Sequence, residues 1–468
     1  MINPAIFRAY DIRGNSNNDL SPQVAYKIGL CFAKNIIANE SLVSKPLICV
    51  GKDGRLSSDI LCSALIEGLE AAGSEVKYIG LVPTPLLYFA DKVFSADGSV
   101  MVTGSHNPKD DNGFKMLKSH SSFFGSMIQE LKQQVIELDE SDKVIHIDTN
   151  SGNMLPIFSQ IAAEYIDRIM QGSKISPNLK IAFDPGNGAA AELIKAICQK
   201  LPCQTFVINE EIDGNFPAHP PDPTIAENLE QLKEFVLSTG CDIGIGFDGD
   251  ADRIGIITKQ GVFVSGDQLL CFYAKHVLAK NPGATVIADV KTSSILFNYV
   301  KALHGNAIMW KTGHSFIKTK MKETGAKLAG EMSGHIFFAD DYYGYDDALY
   351  AAIRLISIIS SNNESLDEFL KSLPKSFNTP EIKIAVKDEM KFTIIEEVKK
   401  LLRTKNVEFV DIDGIRATNQ NGWWLLRASN TGPYLIARCE SHTKEGLKSL
   451  NQDLKIILDK YGIELFQN

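Results

Sequence analysis

Three aspartates, Asp248, Asp250 and Asp252, alternate with small residues in C-D-I-G-I-G-F-D-G-D-A-D-R-I-G-I-I at 241–257. Carboxylates so close repel one another unless a cation sits among them. An oxygen-only donor set selects a hard cation such as Mg²⁺ or Ca²⁺. Ile243, Ile245 and Phe247 read as one strand and Ile254 to Ile257 as the next. The aspartates therefore occupy the connection between two buried strands, where an extended loop lets alternate residues face one point. The same spacing opens an EF-hand, but the sixth position is Arg253 instead of Gly, the twelfth is Lys259 instead of Glu, and no helices flank it. A solvated acidic turn is the plainer alternative.

A hydroxyl able to carry a group lies at Ser105, in S-V-M-V-T-G-S-H-N-P at 99–108. An apolar strand runs into Gly104, which permits unusual backbone angles, and Pro108 stops regular structure. Ser105 and His106 are thus displayed at a strand's C-terminal end, where α/β sheets bind ligands. An ordinary Ser/Asn turn has the same composition. In A-G-E-M-S-G-H at 329–335, Glu331, Ser333 and His335 alternate and suit the hydroxyls of a sugar, or simply build a loop. In L-L-R-A-S-N-T-G-P at 425–433, Arg427, Ser429, Asn430 and Thr431 form a natural phosphate cradle, or a surface turn. F-R-A-Y-D-I-R-G at 7–14, W-K-T-G-H-S at 310–315 and Lys115 add cations beside glycines. D-P-G-N-G-A-A-A at 184–191 lacks the full dinucleotide fingerprint and is read as a packing feature.

The elements that hold these loops repeat. A short apolar strand, a Gly-rich loop and an amphipathic helix begin at 46–55, 180–188 and 284–293. Strands alternating with helices predict α/β units with largely parallel sheets. After Ser57 and Ser58, Leu61, Leu65 and Leu69 mark a helix stopped by Gly73; Leu229, Leu232 and Val236 mark another ending at Gly240. The last hundred residues alternate apolar and polar, turn at Asn421-Gly422 and end in a helix near 442–460, an α+β pattern with antiparallel strands. Boundaries are expected near 150, 253 and 368, giving domains 1–150, 151–253, 254–368 and 369–468, with S-S-N-N-E-S at 360–365 as the clearest polar linker. At 468 residues the chain has room for three or four domains.

Composition bounds the partners. Hydrophobic residues make up 44% and charged residues 22%, enough for folded cores. A net charge of −9 argues against nucleic acid or an anionic membrane as partner, but not against a small anion. None of the eight cysteines forms a C-x-x-C pair, so reduced core thiols are expected instead of zinc. With no signal peptide and no apolar run of membrane-spanning length, the expectation is a soluble cytoplasmic protein.

Taken together, T-G-S-H-N-P, D-G-D-A-D-R, G-E-M-S-G-H and R-A-S-N-T-G-P resemble, in the same order, the α-D-phosphohexomutase superfamily, nearest to its bacterial phosphomannomutase/phosphoglucomutase branch. The resemblance implies four domains around a central cleft, three related α/β domains with mixed sheets and a C-terminal α+β domain. It implies that Ser105 carries the phosphoryl group and binds one Mg²⁺ together with Asp248, Asp250 and Asp252. Glu331 and Ser333 contact sugar hydroxyls, and His335 supports their loop. Arg427, Ser429, Asn430 and Thr431 hold the phosphate that is not transferred. Lys115, Arg13 and His314 serve proton transfer and polar contacts, and Tyr10, Lys291, Arg253 and His106 line the cleft. The partners implied are sugar phosphates, with a hexose 1,6-bisphosphate as activator and intermediate, in a monomer or weak dimer. Met332 resembles the dual mannose/glucose enzymes, where glucosamine mutases typically have Gln. Ala251, where many relatives have Gly, is expected to matter little. The competing readings are a phosphoglucosamine mutase, a sugar-phosphate phosphatase and a non-catalytic sugar-phosphate-binding protein.

Overall fold

The computed structural model describes residues 2–38, 45–140, 157–362, 364–430 and 432–465. Its first sheet contains β1 (Ile12–Asn15), β2 (Leu47–Lys52), β3 (Glu75–Leu81), β4 (Gly98–Val102), β5 (Asp111–Lys118) and the short β6 (Ser121–Ser122). The second contains β7 (Lys180–Asp184), β8 (Gln204–Val207), β9 (Ile243–Phe247), β10 (Ile254–Thr258) and β11 (Phe263–Val264). The third contains β12 (Thr285–Asp289), β13 (Asn306–Trp310), β14 (Leu328–Gly330) and β15 (Ile336–Phe338).

One plan underlies all three. The spatial orders β3-β2-β4-β5, β8-β7-β9-β10 and β13-β12-β14-β15 are each second-first-third-fourth. The first three strands of each unit run parallel and the fourth returns antiparallel to the third. The central strands β4, β9 and β10 are buried at every residue, which accounts for their unbroken apolar runs. The triple repetition, faint in sequence, is plain in topology.

The fourth domain is antiparallel: β16 (Phe377–Asn378), β17 (Ile382–Ala385), β18 (Phe409–Val410), β19 (Ile415–Asn419), β20 (Gly422–Ala428) and β21 (Tyr434–Ser441). The hairpin expected at Asn421-Gly422 joins β19 to β20, with Gly422 at φ 134°. Helices Lys391–Thr404 and Lys444–Asp459 bury their apolar faces in this domain's core.

Two expected boundaries move. A cut after 253 would part β10 from β9, which pair antiparallel from Phe247↔Ile254 to Ile243↔Thr258, so the second sheet runs on to Val264. A cut at 368 would fall inside helix Leu366–Ser372. Residues 360–362 end helix Ala348–Asn362 and Ser365 caps the next one, so S-S-N-N-E-S joins two helices of one unit instead of linking domains. The boundary near 150 lies outside the described residues.

One apolar core runs through the first three units, from Leu86 and Phe89 through Tyr165 and Phe247 to Tyr273 and Phe338. The fourth domain keeps its own core and meets the third through Val290, Trp423 and Leu425 and through polar bonds. Arg416 donates to the carbonyls of Val290 and Thr292, both at 2.7 Å. All eight cysteines are free thiols. No helix among the described residues is long and apolar enough to cross a membrane.

Between units two and three lies a buried tyrosine cluster around Asp347. This carboxylate accepts from Tyr165 at 2.8 Å, Tyr342 at 2.7 Å and the Tyr350 N–H at 2.8 Å. Burial pushes the acid up to about 6. It therefore stays protonated in the fold over a range where the unfolded chain has released its proton. The stability it confers is full below about pH 4 and is lost as pH rises through about 6. Asp347→Asn should remove that decline, which amounts to roughly 3 kcal/mol. Urea unfolding of both proteins from pH 4 to pH 7 checks this, and parallel curves would refute it.

Candidate active site

In each of the three units the functional motif is the hairpin connection from third to fourth strand. Ser105 lies between β4 and β5, the aspartates between β9 and β10, and Glu331 to His335 between β14 and β15. The fourth domain offers the connection between β20 and β21, with Ser429 and Asn430. Residues of all four loops line one cavity of about 540 Å³. Thr431 lies outside the described residues.

Ser105 is buried and holds φ at 50°. The left-handed angle thus falls on the serine and not on Gly104, contrary to expectation. Gly104 is required for space: a Cβ there would lie 2.4 Å from the Arg55 guanidinium carbon. Arg55, fully buried, donates to the carbonyls of Ser105 (2.7 Å), Asn107 (2.6 Å), Pro108 (2.5 Å) and Asp111 (2.9 Å), which fixes the loop backbone. Asp53 secures its start by accepting from the Thr103 hydroxyl at 2.7 Å and the Gly104 N–H at 3.1 Å. So held, the Ser105 hydroxyl donates to Asp248 Oδ2 at 2.8 Å.

The aspartate loop is a tight turn, not the extended segment expected. Ala251 N–H donates to Asp248 O at 3.0 Å, and Asp248 Oδ1 accepts from the N–H groups of Asp252 (3.0 Å) and Arg253 (3.1 Å). Ala251 sits at φ 54°, where Gly costs nothing, so this position matters to the backbone more than expected. One oxygen from each aspartate lies within 4.8 Å of the others, and all three residues are fully buried. The D-P-G-N-G loop packs beneath, with Ala189 N–H donating to Gly249 O at 2.9 Å.

Lys115 supplies the nearest positive charge, 2.6 Å from Asp250 Oδ2 and in contact with Asp252. Burial opposes its charge, yet Asp250 and Asp252 raise it and hold it as the ammonium. Burial likewise works against the Asp250 carboxylate, which Lys115 and the Thr84 hydroxyl nevertheless hold below the usual range. Asp248 is raised well above that range by burial and by Asp252 and Asp250. One lysine among three buried carboxylates leaves negative charge over. Asp250 Oδ1 and Asp252 Oδ1 are buried with no hydrogen-bond partner among the described residues. The donor set fits a hard divalent cation.

The sugar-loop residues form a second network. Glu331 Oε1 accepts from Gly313 N–H at 2.6 Å, and burial raises this acid. Glu331 N–H donates to the backbone carbonyl of His335 at 2.9 Å, which closes the loop. The His335 ring also accepts from Arg253 Nε at 3.0 Å and faces Asp346 at 3.2 Å. The same Asp346 oxygen lies 3.2 Å from His314 Nδ1. Burial and Lys318 push His314 down to about 4, so it is neutral at pH 7. Tyr10 stands edge-on to His314 with ring centroids 5.6 Å apart. His106 lies at the cavity wall, held well below its usual range by burial, Arg253 and Arg13. Arg13 Nε donates to Asp11 at 2.7 Å. A guanidinium so paired supplies charge and hydrogen-bond donors.

On the far side, Arg427 Nε donates to Asp413 at 3.0 Å, while its Nη2 is buried with no hydrogen-bond partner among the described residues. Lys291, Ser333, Ser429 and Asn430 line the same cavity. Sequence reading missed Arg55, Asp53, Thr84, Asp346, Asp413 and Glu381. Asp53 and Arg55 fall in the strand-and-loop segment 46–55 without a role assigned there, and the others come from segments whose composition gives no signal.

The sequence matches four family domains in order: phosphoglucomutase/phosphomannomutase alpha/beta/alpha domain I over residues 4–142, domain II over 163–261, domain III over 265–377 and the C-terminal domain over 381–456. It is 42% identical over 461 residues to the phosphomannomutase/phosphoglucomutase of Pseudomonas putida, covering 98% of this chain and 97% of that one. It is 40% identical over 456 residues to the phosphoglucomutase of Neisseria gonorrhoeae, covering 97% and 96%. The crystal structure of a phosphoglucomutase/phosphomannomutase family protein from Burkholderia thailandensis matches with a TM-score of 0.88 at 38% identity, covering 99% of this chain and 100% of that one. The fold and the four matched domains are those of an α-D-phosphohexomutase, an isomerase. Within that class, the chain belongs to the phosphoglucomutase/phosphomannomutase family.

A Cβ at Gly249 would lie 2.6 Å from the Ser105 carbonyl oxygen. Gly249→Ala should displace the serine from Asp248 and lower kcat at least about ten-fold. Circular dichroism should remain that of the parent, and undiminished kcat would show the contact to be dispensable.

Proposed function

We propose that the protein interconverts hexose 1-phosphates and hexose 6-phosphates, of mannose and glucose, through a phosphoserine at Ser105 and a hexose 1,6-bisphosphate. The observation that carries this reading is the pairing of Ser105 with Asp248 at 2.8 Å in the cavity that Arg427 also lines. A group carrier and an anion grip thus share one cavity.

In the first half-reaction the bond from phosphorus to Ser105 Oγ breaks as a bond to the free sugar hydroxyl oxygen forms. The hydroxyl proton leaves to a basic group in the cleft, and the serine oxygen takes a proton from an acid in the cleft, for which the neighbouring Lys115 ammonium is placed. The second half-reaction returns the sugar's other phosphoryl group to Ser105. Transfers of this kind pass through a loose transition state, so positioning and charge neutralisation do most of the work. Bound by the serine phosphate with Asp248, Asp250 and Asp252, Mg²⁺ would neutralise charge on the phosphoryl group. Lys115, in contact with Asp250 and Asp252, supplies positive charge and is a candidate for proton transfer beside the serine. Arg13 and Arg253 add positive charge, and His106 and His314 offer neutral rings. Tyr10 orients His314. Glu331 and Ser333 read two sugar hydroxyls, with His335 bracing their loop, and contacts that avoid O2 let mannose and glucose both fit. Arg427, Lys291, Ser429 and Asn430, with Thr431, grip the phosphate that stays.

Ser105→Ala should abolish turnover in a coupled assay primed with glucose 1,6-bisphosphate, whereas near-normal activity would sink the assignment. Side-by-side kcat/KM values on mannose 1-phosphate, glucose 1-phosphate and glucosamine 1-phosphate should favour the first two. Dominance of the glucosamine substrate would overturn the substrate class.

A further inference from the structure

Two of the cations on the distal side of the cavity, which Lys383 and Arg438 also line, are in different states. Arg427 is pinned through Nε by Asp413 and keeps Nη2 without a hydrogen-bond partner among the described residues. Lys291, which follows β12, is engaged across the domain boundary: its Nζ donates to Glu381 Oε2 at 3.0 Å. Asp289 lies farther off, 3.9 Å away. Glu381 immediately precedes β17, in the fourth domain's connection from β16. It lines the cavity beside Lys291, Arg427 and Ser429.

A carboxylate is an odd lining for an anion cradle. It repels an incoming phosphate and already occupies the lysine the phosphate needs. Although burial opposes the charge of both partners, Glu381 chiefly holds Lys291 above its usual range, and Lys291 holds Glu381 below its own.

We infer that Glu381 is a built-in competitor for Lys291 that lowers the cleft's phosphate affinity, so that the bisphosphate can leave the cradle and turn over. The inference rests on the reading of Arg427 and Lys291 as the grip on the non-transferred phosphate. When a phosphate docks, Lys291 exchanges a carboxylate for a phosphate oxygen. When it leaves, Glu381 reclaims the ammonium, so the cation is not stranded in a buried wall. Uniformly tight binding of the bisphosphate would deepen a trough between the two half-reactions without speeding either.

The test uses the full chain with inorganic phosphate and with glucose 1-phosphate as probes. Glu381→Gln keeps shape and removes charge. It should bind inorganic phosphate at least about five-fold more tightly by calorimetry, and it should lower KM for glucose 1-phosphate with kcat unchanged or reduced. A merely structural role for Glu381 moves affinity the other way. In Lys291→Met the same second substitution should give no more than half of that gain, since the contested cation is gone. Unchanged or weaker phosphate binding in Glu381→Gln overturns the inference. Arg427→Met separates this from the underlying reading: it should weaken phosphate binding about ten-fold or more. If it does not, the cradle assignment fails and the inference falls with it; if it does while Glu381→Gln gains nothing, Glu381 alone is refuted.

Discussion

The crowding of Asp248, Asp250 and Asp252 in a fully buried turn is the constraint on which the rest depends. Buried charge is strongly disfavoured unless paired. Lys115 reaches in from β5 to meet two of the three, which ties the first unit to the second. The Ser105 hydroxyl meets the third. Gly249 must be glycine for the two loops to approach so closely, and the Ala189 N–H, just after D-P-G-N-G, braces it by donating to the Gly249 carbonyl. Asp248, raised by its two neighbours, marks where charge balance is incomplete and where a divalent cation fits.

Topology decides that the loops can meet. A unit of order second-first-third-fourth, with only the last strand antiparallel, has a single hairpin at the C-terminal edge of its parallel strands. Repeating it three times around a shared core brings three such hairpins to one place. A common core makes that part of the cleft stiff. The fourth domain joins mainly through Arg416, Trp423 and polar bonds. Attachment of that kind is the natural place for movement, since interfaces poor in apolar contact open at lower cost.

Much of this was legible in the sequence because chemistry and local spacing coincided. The aspartates alternate within five residues, and the T-G-S-H-N-P and R-A-S-N-T-G-P loops each end an apolar run. What escaped is what the chain assembles from afar. Arg55 lies fifty residues from the serine whose carbonyl it holds, and Asp346 is one of two adjacent aspartates with opposite tasks, one facing histidines and the other tyrosines. Local reading also misplaced the strain, since Gly104 attracts attention as the flexible residue while Ser105 and Ala251 hold the left-handed angles. The boundary after 253 failed for a related reason. A polar loop looks like a domain edge, but here it is the inside of a hairpin, and only the pairing of Ile254 with Phe247 reveals it.

On the proposed reading, in which the cleft holds a sugar bisphosphate in two orientations, it cannot simply maximise positive charge. Seven cations, Arg13, Lys115, Arg253, Lys291, Lys383, Arg427 and Arg438, line the cavity. Arg13 is matched by Asp11, Lys115 by Asp250, Lys291 by Glu381 and Arg427 by Asp413. Such pairing keeps each cation oriented before substrate arrives, which lowers the entropy cost of forming the phosphate contacts. It also keeps each contact exchangeable, because a carboxylate stands ready to replace a departing phosphate oxygen. The pairs on the Ser105 side are the more deeply buried, and those on the far side, at Glu381 and Asp413, are partly open. Burial strengthens the electrostatic grip and solvent weakens it. The gradient therefore favours firm hold where bonds are made and looser hold where the distal phosphate must come and go.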